Sequence, residues 1–167
     1  WALVAIYFTT FGGFIALTAW FPTYWKSYFG VSAVTAGFLT ALYSLLTSII
    51  RVWGGFISDR IGGENTLFLS LFTMLAGAVL MTFSHSYNLS ILGEVMMGLG
   101  MGVGNAAVFK LVPREVPHAV GGAAGWVGGL GAFGGFAIPP ILGAAVKTLG
   151  DNGYASGFFT FIALSLL

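Results

Sequence analysis

The chain has 167 residues, of which 57% are hydrophobic and 7% charged, with 26 glycines, 16 phenylalanines and no cysteine. Soluble domains carry about 25% charge, so the composition excludes one, and its hydrophobicity excludes a disordered chain. A formal net charge of +1 argues against nucleic acid as a partner, and without cysteine there are no disulfides, thiolate metal sites or cysteine catalysis.

What remains is an all-α integral membrane protein. A bilayer core of about 30 Å takes about 20 apolar residues, and the runs here are helix-long rather than strand-long. The first span is expected from near Trp1 to about Trp25. It closes on an interfacial cluster, Trp20, Phe21, Tyr24, Trp25 and Tyr28, and Pro22 kinks or ends it. The second span runs from about Ala33 to Ser58, before the polar turn Asp59-Arg60-Ile61-Gly62-Gly63-Glu64-Asn65. A third covers about Thr66 to Ser84, and His85 to Asn88 form a short link. A fourth covers about Leu89 to Phe109. Lys110 to His118 is the longest polar link, and Pro113 and Pro117 stop a helix there. A fifth span covers about Ala119 to Val146, and Lys147 to Gly153 turn the chain. The last apolar run, Tyr154 to Leu167, makes about 21 Å of helix, too short to span. The expectation is one six-helix bundle over residues 1–167, with five complete helices and a truncated sixth. Trp1 and Leu167 both sit in apolar stretches, which predicts a piece cut inside its first and last helices.

Alternate links carry Arg60, Lys110 and Arg114 on one face, and Lys26 and Lys147 on the other. The excess places the Asp59 and Pro113 links in the cytoplasm.

One basic residue lies away from the links. Arg51 sits eight residues before Asp59, about 12 Å inside the second helix. Insertion there costs about 2.5–3.5 kcal/mol, so a compensating partner is expected. The one carboxylate well inside a span, Glu94, lies about 24 Å from the same end, too deep for a direct pair. Two readings stand. The guanidinium is an anion site, offering a rigid fork of donors to a planar oxyanion, or it snorkels or pairs with an acid elsewhere in the protein. Tyr7, Phe11 one turn later, Asn105, Gly128 and Gly129 reach a similar layer. Taken alone, Tyr7 and Phe11 read first as ordinary helix packing, and an interhelical hydrogen bond is an equal contender for Asn105.

Residues 121–136 hold eight glycines, with GxxxG spacing at Gly121/Gly125, Gly125/Gly129 and Gly131/Gly135. Such a helix packs closely against a neighbour, and its smooth surface also suits substrate passage. Gly98, Gly100, Gly102 and Gly104 repeat the theme in the fourth helix. No phosphate loop, HExxH, GxSxG or carboxylate pair at one depth is present, which argues against an enzyme, a metal site and a bound cofactor.

These residues resemble the C-terminal half of a nitrate/nitrite porter of the major facilitator superfamily, over nearly the whole chain. Gly55, Asp59, Arg60 and Gly62 resemble the superfamily's cytoplasmic G-x-x-x-D-R-x-G loop, although Gly63 and Glu64 stand where basic residues follow it. The run Gly125-Trp126-Val127-Gly128-Gly129-Leu130-Gly131-Ala132-Phe133-Gly134-Gly135-Phe136 resembles the family's second glycine-rich signature. Tyr7 and Phe11 resemble the aromatic pair that flanks substrate, Arg51 the arginine that binds the anion, and Asn105 lies in a run resembling the tenth-helix pattern. The resemblance implies alternating access in a cytoplasmic (inner) membrane, with nitrate and nitrite as substrates and the lipid bilayer as surroundings. It also implies a partner N-terminal six-helix half carrying a second arginine. Exchange of nitrate for nitrite is the favoured mode, since Glu94 lies off the site. A proton-coupled symporter or another small-anion facilitator remains open, as does, more distantly, a non-transporting helical subunit.

Overall fold

Five helices long and apolar enough to cross a membrane follow one another: α1 (Ala2–Tyr28), α2 (Ala33–Ile61), α3 (Gly63–Phe83), α4 (Tyr87–Glu115) and α5 (Val120–Leu149). Two short helices, α6 (Asn152–Ser156) and α7 (Phe159–Ser165), follow. The computed structural model describes every residue from Trp1 to Leu167. A helix suits this chain because it satisfies its backbone donors and acceptors internally, which lipid cannot do for it.

The links are shorter than the polarity of the sequence predicts. Pro22 does not end α1, which continues to Tyr28. The turn expected over Asp59 to Asn65 contracts to Gly62, whose φ of +87° is open to glycine and strained for other residues. The link expected over Lys110 to His118 is also smaller, because α4 runs through Pro113 to Glu115. Polarity marks where the bilayer ends, not where a helix ends. Water can satisfy the carbonyl that proline leaves free. The extra turn has a use: Lys110 and Arg114, four residues apart on one face, reach back to the α2–α3 hairpin. Lys110 pairs with Asp59, and Arg114 Nη2 lies 3.4 Å from Glu64 Oε1.

α4 forms the centre of the bundle, and its glycines explain how. A Cβ on Gly98 would meet Thr47 Oγ1 at 2.9 Å, and Gly102 is held as closely against Ile50 and the Thr47 carbonyl. On the other side, a Cβ on Gly100 would lie 2.7 Å from the Ser70 carbonyl, and Gly104 abuts the Ser70 side chain. The Ser70 hydroxyl donates to the Gly100 carbonyl at 2.6 Å. α2 and α3 therefore clamp α4 backbone to backbone, the approach that small residues permit in membranes. Close packing accounts for all four of these glycines.

The half of the bundle away from Asp59 is filled by aromatics. Phe21, Tyr24, Trp25 and Phe158 are fully buried. Here Trp25 Nε1 donates to Glu94 Oε1 at 3.2 Å, and the Tyr43 hydroxyl to Met101 Sδ at 3.0 Å. The outer surface of α2 carries exposed Phe38, Leu42, Leu45, Ile49, Val52 and Phe56, a stripe at helical spacing that suits lipid.

Candidate functional site

Two irregular turns build the site. α1 opens into a π-helical turn over Phe8–Gly12, and α5 is interrupted at Phe133, between Val120–Ala132 and Gly134–Leu149. The irregularities face each other. A Cβ on Gly12 would lie 2.6 Å from the Gly131 carbonyl, and one on Gly134 would lie 2.6 Å from the Phe8 carbonyl. Single-turn π segments are frequent at functional sites, and this one presents Tyr7 and Phe11.

The two rings stack, with centroids 4.9 Å apart and planes 16° from parallel. Arg51 on α2 meets both. Its Nη2 donates to the Tyr7 hydroxyl at 3.4 Å, and its guanidinium carbon lies 5.7 Å from the Phe11 ring centroid. The Phe11 face attracts the cation by cation–π interaction, which costs it none of its in-plane donors. Neither ion pair of the chain, Lys110–Asp59 or Arg114–Glu64, includes Arg51. Glu94, 3% exposed, is bonded to Trp25 instead, as the depth arithmetic requires. The guanidinium thus keeps most of its donor fork free in a half-buried position.

Phe109 on α4 completes the wall, its ring edge-on to Tyr7 at 4.9 Å and 80°. It was missed as a site residue, although it stands four residues beyond Asn105 and so on the same helix face. Asn105 is 2% exposed, and its carbonyl oxygen has no hydrogen-bond partner. The interhelical bond that packing alone would supply is not made at that oxygen.

The glycines of α5 divide into two faces. Gly131, Gly134 and Gly135 pack on α1, against Tyr7, Phe8 with Gly12, and Ile15 respectively. Gly131 is the support that sequence reading passed over: a Cβ there would lie 2.5 Å from Tyr7 Cδ1 and 2.9 Å from Tyr7 Cβ. Of the predicted site glycines, only Gly128 touches the cluster, with Phe109 Cζ 3.8 Å from where its Cβ would be. Gly125 and Gly129 meet nothing within 4 Å, nor do Gly121 and Gly122. They form a bare backbone stripe on the open side, not part of the Arg51 contact set. On α2 a matching face of small and polar residues, Gly37, Ala41, Ser44, Ser48, Arg51 and Gly55, runs beside the lipid stripe.

In the loop motif, Asp59 holds Lys110, Gly62 makes the turn, Gly55 has open space and Arg60 is exposed outside both ion pairs. The two departures from the motif are accommodated: Leu111 packs over Gly63, and Glu64 meets Arg114.

Fold and site together define a multi-pass helical membrane protein with a half-buried cation that no carboxylate of the chain engages. The Major Facilitator Superfamily profile matches residues 3–167, and the chain belongs to that superfamily. It is 34% identical over 164 residues to a protein named "Probable nitrate/nitrite antiporter NarK1" from Thermus thermophilus, covering 87% of this chain and 37% of that one. It is 32% identical to the "Nitrite extrusion protein" of Bacillus subtilis (strain 168), covering 99% of this chain and 42% of that one. A "Probable nitrate transporter NarT" from Staphylococcus epidermidis is 30% identical, with coverages of 92% and 39%. The chain therefore spans about two fifths of the length of these relatives. Among solved structures, tetrameric PepTSo2 aligns over 98% of this chain and 37% of its own with a TM-score of 0.84. At 17% identity that likeness shows the fold alone.

Proposed function

We propose that the chain is the C-terminal six-helix half of a nitrate/nitrite transporter of the cell membrane, with its Asp59 end in the cytoplasm. The observation that carries this is Arg51: a guanidinium at membrane depth, held by Tyr7 and Phe11 and engaged by no carboxylate. Its planar fork matches a planar oxyanion in two parallel hydrogen bonds, which a cationic substrate cannot accept. The names of the relatives point to the same ions.

In this reading Arg51 faces a counterpart arginine on the other half, and the two share the ion near the midplane. Tyr7 orients the guanidinium and offers its hydroxyl to a nitrate oxygen. Phe11 and Phe109 wall the ion from water. The free amide oxygen of Asn105 positions bound water or the other half. Alternating access then follows from rocking of two halves around this point. The open glycine stripe of α5 is the surface along which they slide. Transport is by exchange of nitrate for nitrite, because the buried carboxyl of this half, Glu94, is bonded to Trp25 and separate from the site. The test is counterflow by the full-length protein in proteoliposomes. Nitrite loaded inside should drive nitrate uptake without a pH gradient, and uptake that requires a pH gradient would replace exchange by symport.

A further inference from the structure

A second recess lies between the ends of α1 and α2 away from Asp59, where Lys26, Thr23, Ser27 and Gly37 line a space of about 390 Å³. Lys26 belongs to neither ion pair of the chain. Gly37 has nothing within 4 Å of its Cβ position, so the recess is open on the α2 side.

The recess leads toward Arg51. Gly37, Ser44, Ser48 and Arg51 share one face of α2, and Lys26, Pro22, Thr18, Phe14, Phe11 and Tyr7 follow one another down α1 three or four residues apart. The two lines meet halfway, where Thr18 Oγ1 and Ser44 Oγ lie 3.3 Å apart. At 1.5 Å per residue, this hydroxyl pair stands about 10 Å above Arg51 along α2. Ser48 fills the interval, exposed, with its hydroxyl bonded back to the Ser44 carbonyl at 2.8 Å. This face of α2 is small and polar. The apolar stripe is carried by a different side of the helix.

We propose that this recess is an anion-entry site, in which Lys26 captures small inorganic anions in hydrated form and delivers them along the Thr18–Ser44 face to Arg51. The proposal rests on the transport reading above. At roughly 30 Å³ per water molecule the space admits an ion with its hydration shell, and an ammonium is a strongly hydrated point charge rather than a shape-selective fork. Capture at Lys26 is therefore electrostatic and discriminates little between anions. Selection happens at Arg51.

The experiment measures nitrate uptake by the full-length protein in right-side-out vesicles, at low and high ionic strength adjusted with an impermeant salt. Lys26→Gln should raise the KM for external nitrate by about threefold to tenfold at 10 mM salt, where the screening length is about 30 Å. The difference should vanish near 1 M salt, where that length is about 3 Å. Lys26→Arg should restore the low-salt KM. Lys147→Gln, which removes the other outer-face cation away from the recess, should match the wild type. An unchanged KM in Lys26→Gln, a shift that persists in high salt, or an equal shift in Lys147→Gln overturns the entry site while leaving the Arg51 reading intact. A wild-type protein that moves no nitrate overturns both.

Discussion

The Tyr7 hydroxyl on α1 accepts a hydrogen bond from Arg51 on α2 at 3.4 Å, and it is the one side-chain hydrogen bond Arg51 makes within this chain. The long distance leaves room for a better acceptor to draw the guanidinium away. Arg51→Lys should therefore cost most of the transport rate, at least about tenfold, because a point charge cannot reproduce two parallel hydrogen bonds. Tyr7→Phe keeps the stack on Phe11 and loses only the hydroxyl. It should raise the KM for nitrate about threefold to tenfold, equivalent to about 0.7–1.4 kcal/mol, as befits one hydrogen bond. Initial-rate uptake in proteoliposomes measures both.

Gly131 packs directly against Tyr7. A methyl group there would press on Tyr7, which immediately precedes the π-helical turn. Gly131→Ala should cut transport about tenfold and lower stability by about 1–3 kcal/mol, the usual penalty of overpacking. Gly125→Ala adds the same methyl where this half has open space. Its protein should keep the stability of the half, and any loss of transport reports on the sliding surface. Thermal unfolding in detergent, read beside uptake, separates the two.

At the Asp59 end of the bundle, Asp59–Lys110 and Glu64–Arg114 tie the α2–α3 hairpin to the end of α4. Both pairs are substantially exposed, so each contributes about 0–1 kcal/mol. Their value lies in pairing specificity. Asp59→Lys should impair transport by placing two cations together, and the double exchange Asp59→Lys with Lys110→Asp should recover a large part of it. Glu64→Gln should be close to neutral. Failure of the double exchange to recover activity would argue for a separate role of Asp59.

Glu94 separates exchange from symport. Its oxygen accepts from buried Trp25 at the far end of the bundle from Arg51. Glu94→Gln keeps an acceptor of the same size and should preserve nitrate/nitrite exchange. Glu94→Leu leaves the indole N–H unpaired and should destabilise the protein by about 1–3 kcal/mol. Uptake that loses its response to pH in Glu94→Gln would assign Glu94 to proton coupling.

The spans were legible because twenty apolar residues in a row have few alternatives. That Arg51 and Glu94 do not pair followed from counting residues along helices. The helix ends were not legible: polar residues such as Lys110 and Arg114 remain helical beyond the bilayer, where water tolerates either state. Irregular backbone was hidden too, since Phe8–Gly12 reads as ordinary helix until α5 presses on it. Glycine content marked α5 as special but gave no face. Which glycines pack on α1 and which lie bare depends on helix rotation, and that is set by Tyr7, Phe8 and Ile15 across the contact.

The most direct measurement is nitrate binding to the purified full-length protein, followed as a shift in unfolding temperature. Bound ligand stabilises the folded state by mass action, independent of flux or coupling. Nitrate should raise the unfolding temperature of the wild type and of Glu94→Gln in a dose-dependent way, and should leave Arg51→Lys unmoved. Equal stabilisation of Arg51→Lys and the wild type by nitrate would contradict the guanidinium as the anion site.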